Sequence, residues 1–93
     1  MPKFKVIIHR RVYKFIQKIK DEKLKNKIKD IIVRLEDYPL VLREIDVEKI
    51  RGLEKTFRMR IGKYRVIFFV DKTERTIYVT NIGARRRVYK KLE

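Results

Sequence analysis

Two groups of arginine stand out by type and spacing. Arg58, Arg60 and Arg65 flank Gly62-Lys63, and Arg85, Arg86 and Arg87 precede Val88-Tyr89. A guanidinium is planar, always charged, and carries a fork of donors that matches phosphate oxygens. Gathered in one place, such groups bind a polyanion and can stabilise charge that grows on it during a reaction. Taken by itself, the second group would be a solvated tail, with Tyr89 as a packing anchor. The first group gains meaning from the hairpin expected around it.

Gly62-Lys63 suits a two-residue turn of type II′, which takes glycine at its first central position. In that register Ile61 lies opposite Tyr64, Arg60 opposite Arg65, Met59 opposite Val66, and Arg58 opposite Ile67. Opposite residues share a face. Phe57, Met59, Ile61, Tyr64, Val66 and Phe68 then form an apolar surface, and Arg58, Arg60 and Arg65 converge on the other. Like charges so placed destabilise a sheet, and neither strand carries an acid to relieve them. Either the arginines splay into solvent or pair with the acids between Glu36 and Glu48, or they form a preformed site for phosphate.

The elements that must hold this hairpin follow from periodicity. Phe4 to His9 is a short apolar run rich in β-branched residues and predicts a first strand. Val12, Phe15, Ile16 and Ile19 fall on one face of a helix. Lys20-Asp21-Glu22 interrupts it, and Asp21 can cap a second helix carrying Leu24, Ile28, Ile31, Ile32 and Leu35 up to Tyr38-Pro39. Lys23, Lys25, Lys27 and Lys29 on that helix read as a solvated face. Leu40 to Lys55 reads as irregular. The period then changes to two over Thr56–Ile61. Tyr64 to Val70 is nearly all apolar, as a central strand covered on both faces would be. A third strand runs from about Arg75 to Ile82, broken by Gly83, with a short helix over Val88 to Leu92. The expected class is α+β: an N-terminal strand, a two-helix hairpin and a three-stranded antiparallel meander in one mostly antiparallel sheet, closed by a short C-terminal helix.

Composition narrows the function. The chain has 93 residues, enough for one domain spanning 1–93, and 44% of them are hydrophobic. It has no cysteine, hence no thiolate nucleophile and no cysteine-based zinc site. Its one histidine, His9, cannot form a metal cluster alone, and no cofactor is expected. The first apolar stretch is too short for a signal peptide or a membrane span, which makes a cytoplasmic protein the expectation. Lys and Arg total 27 against 12 acids, a net charge of +15. Such excess favours a polyanionic partner, nucleic acid or a ribonucleoprotein. Few Asn and Gln and many Lys and Ile fit a thermophile, yet thermophiles raise Lys and Glu together. The charge is also segregated. Glu36 to Glu48 holds five acids and one base, whereas Arg51 to Arg65 holds six bases and one acid.

The stretches "KIRGLEKTFRMRIGKYRVIFFVD", residues 49–71, and "NIGARRRVY", residues 81–89, taken together resemble the RelE/ParE superfamily of bacterial and archaeal toxin–antitoxin toxins. The order strand, two helices, three strands matches as well, so the likeness spans nearly the whole chain. For the RelE branch it implies ribosome-dependent cleavage of mRNA, in which the 2′-hydroxyl attacks the scissile phosphate. By position, Arg65 matches the family's phosphate-contacting arginine, Arg85 its second catalytic arginine, and Tyr89 the tyrosine of proton transfer or base stacking. Arg58 and Arg60 stand where lysines often do, and with Lys63, Arg86 and Arg87 they are the implied RNA contacts. Ala84 departs from the histidine or lysine common after the glycine. The implied partners are a cognate antitoxin, the ribosome and mRNA, with no membrane and no metal. Two other functions fit parts of the pattern: a ParE-like, non-catalytic inhibitor of DNA gyrase, and a plain basic ribosome- or RNA-binding module.

Overall fold

The computed structural model describes residues 3–84. Its elements run in the order β1 (Lys5–Ile8), α1 (Arg10–Gln17), α2 (Glu22–Arg34), β2 (Asp46–Lys49), β3 (Thr56–Ile61), β4 (Tyr64–Asp71) and β5 (Thr76–Ala84). Two 3-10 turns, Leu35–Asp37 and Leu40–Glu44, link α2 to β2. The strands form one sheet in the order β1-β5-β4-β3-β2, antiparallel except where β1 lies parallel to β5. The α+β class and the packing of both helices against one face agree with the expectation. The C-terminal helix expected over Val88 to Leu92 lies outside the described residues.

Local chemistry explains where the helices begin. His9 is extended, and its Nδ1 accepts a hydrogen bond from the Arg11 amide at 3.1 Å, which caps α1. The single histidine is thus in structural use. Asp21 caps α2 in the same way, its Oδ1 accepting from the Leu24 amide at 3.1 Å. Glu22 in the first turn and Arg34 in the last suit the helix dipole. Val12, Ile16, Ile28, Ile31 and Ile32 are buried against Met59, Ile61, Val66, Phe68, Val70, Ile77 and Val79 of the sheet. This is the apolar surface anticipated from the hairpin register, and the observed pairing of β3 with β4 is that register.

Four features differ from the sequence reading. The sheet has five strands, because the stretch read as irregular from Leu40 to Lys55 contains β2, an edge strand paired with β3. Helix α1 ends at Gln17, and Ile19, though part of its apolar spacing, is buried from the connection to α2. Strand β5 runs through Gly83 to Ala84, with Gly83 opposite Arg65. Finally, β4 is central, but helices cover only one of its faces. On the other face Ile67 is buried, whereas Phe69 is 36% exposed and stacks on Tyr78 with ring centroids 6.3 Å apart.

The hairpin turn is built for glycine. Gly62 has φ +60, and a Cβ added there would lie 2.9 Å from Leu24 Cδ1, so the tip of the hairpin rests on the first turn of α2. Gly62→Ala is expected to destabilise the protein by about 1–2 kcal/mol, the usual cost of the left-handed conformation for a residue with a side chain. Thermal melting should show a fall of several degrees. An unchanged midpoint would mean that the turn relaxes away from Leu24.

Candidate nucleic-acid interface

Strand alternation places Arg58, Arg60 and Arg65 on the sheet face that the helices leave open, with Arg60 directly opposite Arg65. The acids needed to relieve them come from β2. Asp46 lies opposite Arg60 and Glu48 opposite Arg58. The Arg60 Nε donates to Asp46 Oδ2 at 2.8 Å, and Arg58 is ion-paired with Glu48. The first of the two open readings therefore describes Arg58 and Arg60. Arg65 lies between Arg60 on β3 and Gly83 on β5.

The same logic accounts for the whole acidic stretch. Glu36 and Asp37 both lie 3.3 Å from the Lys3 amine, and Glu44 pairs with Arg34. All five acids between Glu36 and Glu48 thus serve as counter-charges within the fold. The hydrogen bond to Glu36, helped by Asp37, holds the Lys3 amine above the usual lysine range. A raised pKa stabilises the folded state at neutral pH, and that contribution fades as pH rises past the lysine range. The hydrogen bond to Glu44 raises Arg34 likewise.

A β-bulge shapes the end of β5. The pairing of β4 with β5 shifts between Ile67 and Phe68, so that Asn81 faces Ile67 and Val79 faces Phe68, which leaves Thr80 extra. The Thr80 carbonyl accepts from Arg11 Nε at 2.9 Å, tying the bulge to the start of α1. Beyond it, Gly83 and Ala84 lie beside Arg65 and Tyr64. Lys63 sits at the hairpin tip, its amine 5.5 Å from the centre of the Tyr64 ring. Arg85, Arg86, Arg87 and Tyr89 lie outside the described residues. Among the described residues no three His, Cys, Asp or Glu side chains come together as a metal site. No helix among them is long and apolar enough to cross a membrane.

Sequence reasoning offered the acids between Glu36 and Glu48 as partners of the arginines but missed the strand that brings Asp46 and Glu48 opposite them. The alternation of these two acids with Ile45 and Val47 is a strand signal, hidden by its brevity. They predict an outcome of their own. Asp46→Asn is expected to tighten binding of single-stranded RNA about two- to fivefold, matching the ~0.5–1 kcal/mol of an exposed ion pair that no longer competes for Arg60. Filter binding checks this, and an unchanged affinity would place Arg60 outside the interface.

A profile of the ParE toxin family, described as the ParE toxin of the type II toxin–antitoxin system parDE, matches residues 6–89. A candidate RelE1 toxin of Methanocaldococcus jannaschii is 35% identical over 88 residues, covering 95% of this chain and 97% of that protein. Among solved structures, the archaeal RelE–RelB complex of Pyrococcus horikoshii OT3 matches with a TM-score of 0.77 at 28% identity, over 91% of this chain and 98% of that one. Isolated RelE toxin of E. coli shares the fold, with a TM-score of 0.70 at 18% identity over 96% of this chain and 94% of that one. The arginine-bearing sheet, the paired motifs and these matches agree: the chain belongs to the RelE/ParE superfamily of type II toxin–antitoxin toxins.

Proposed function

We propose that the protein is a RelE-type toxin that cleaves mRNA on the ribosome in the cytoplasm and is neutralised by a cognate antitoxin. Arg65 carries this reading. It stands on the open face of the central strand, opposite Arg60, at the position that matches the family's phosphate-contacting arginine. The relation to a candidate RelE1 toxin and to a RelE–RelB complex supports both the branch and the partner.

In the reaction the 2′-hydroxyl oxygen bonds to the adjacent phosphorus as the bond from phosphorus to the 5′-oxygen breaks. One proton leaves the 2′-hydroxyl and another reaches the departing 5′-oxygen, so the products are a cyclic phosphate and a new 5′-hydroxyl. Arg65 and Arg85 bind the phosphate oxygens and offset the charge that grows in the transition state. Tyr89 moves a proton as a general acid or base; the ordinary tyrosine pKa of ~10 makes it a weak base near neutrality. Arg58, Arg60, Lys63, Arg86 and Arg87 hold the RNA strand. A catalyst without histidine at the site depends on its substrate being aligned for it, and the ribosome supplies that alignment.

The ParE description of the matching family favours a second reading, inhibition of DNA gyrase without catalysis. Induced expression separates the two. The RelE reading predicts arrested translation with gyrase supercoiling intact, and arrest relieved by Arg85→Ala or Tyr89→Phe. Inhibited supercoiling by the purified protein, with translation unaffected, would establish the other.

A further inference from the structure

On the helix side of the hairpin tip, a cleft of about 500 Å³ is bordered by Lys18, Lys20 and Lys63, with Phe15, Ile19, Asp21 and Tyr64 completing its walls. We propose that this cleft binds the backbone of a single RNA strand, with the three lysines on its phosphates and the two rings as an apolar wall. The site rests on RNA as the ligand of the proposed function and is independent of cleavage.

Three observations support it. First, none of the three lysines is in a salt bridge with a described residue, whereas Lys3, Arg34, Arg58 and Arg60 each are. Asp21 is the acid in the wall, and its carboxylate is engaged with the Leu24 amide as the cap of α2. Second, the cleft is held in shape. The Phe15 and Tyr64 rings meet edge to face at 5.6 Å, Lys63 lies over Tyr64, and the turn at Gly62 is seated on Leu24. The apolar wall is thus preformed, which favours binding. Its volume falls within the ~300–1,000 Å³ of ordinary ligand sites. Third, it adjoins the arginine face. Tyr64 and Arg65 are neighbours on β4 with opposite orientations, so a strand that leaves Arg65 and passes Lys63 at the tip reaches the cleft.

Equal-charge variants of the full chain test this by fluorescence anisotropy with a labelled oligouridylate. Lys18→Ala/Lys20→Ala/Lys63→Ala is expected to raise Kd about tenfold or more. It should also flatten the plot of log affinity against log salt by about 2, at ~0.7 per phosphate contact on a single strand. Lys23→Ala/Lys27→Ala/Lys29→Ala removes the same charge from the exposed flank of α2 and should change Kd less than about threefold. Replacing the cleft lysines by arginine should retain binding, and matching melting midpoints show that the variants fold. Equal weakening by the two alanine triples, or none by the cleft triple, overturns the site. Uridine monophosphate competing as well as the oligonucleotide also overturns it, in favour of a small-anion pocket. Loss of binding in a protein that proves unable to cleave supports the cleft and counts only against the catalytic reading.

Discussion

Arg65→Lys is expected to lower cleavage of ribosome-bound message by about 10²–10³-fold, the usual loss when a preorganised donor to a developing anion is removed. Its affinity for RNA should change by no more than about threefold, because counterion release depends mostly on charge, which lysine retains. The two effects separate because lysine is a point charge on a flexible stem and lacks the planar fork. The setting of Arg65 magnifies the difference. It stands on the central strand, between Arg60 and the side-chain-free Gly83, so its direction is set by the sheet. Single-turnover cleavage and RNA binding measured on one preparation decide the matter. A lysine variant with full activity would make Arg65 a generic charge and favour the plain RNA-binding module.

The largest effect on stability is expected at Phe68. Its side chain is fully buried on β4, faces the helices, and stacks on Phe57 with centroids 5.3 Å apart. Phe57 in turn meets Tyr38, which meets Phe4, so the ring contacts run from the sheet to the chain's first described residues. Phe68→Ala is expected to cost about 3–5 kcal/mol in lost burial and the cavity left behind. Native domains are typically stable by ~5–15 kcal/mol, so much of the reserve would be gone. Urea unfolding should show a much lower midpoint, and any activity should fall with the folded fraction. A loss below about 1 kcal/mol would mean that the core closes over the site.

The hairpin was legible because two independent signals agreed on it. Glycine at the turn set the register, and the alternation from Phe57 to Ile61 assigned the faces. The same rules did not reveal β2, since four residues with two acids lack an apolar run. Which of the acids between Glu36 and Glu48 meets which arginine is visible only once Asp46 and Glu48 lie opposite Arg60 and Arg58. Apolar spacing placed Ile19 in a helix because it reports which side is buried; the backbone there had already left the helix. Glycine at position 83 suggested an end to β5, yet the strand continues through it beside Arg65. The bulge at Thr80 has no pattern of its own in the sequence. Lys18, Lys20 and Lys63 become neighbours only because the hairpin tip docks on the connection between α1 and α2.

Cleavage itself is tested by adding the purified protein to ribosomes halted on a defined message and mapping the 5′ ends by primer extension. The expected result is a new end within the A-site codon that requires the ribosome, carries a 5′-hydroxyl, and disappears with Arg65→Ala. Intact message at every codon, from a protein that is folded and bound to the ribosomes, would contradict it.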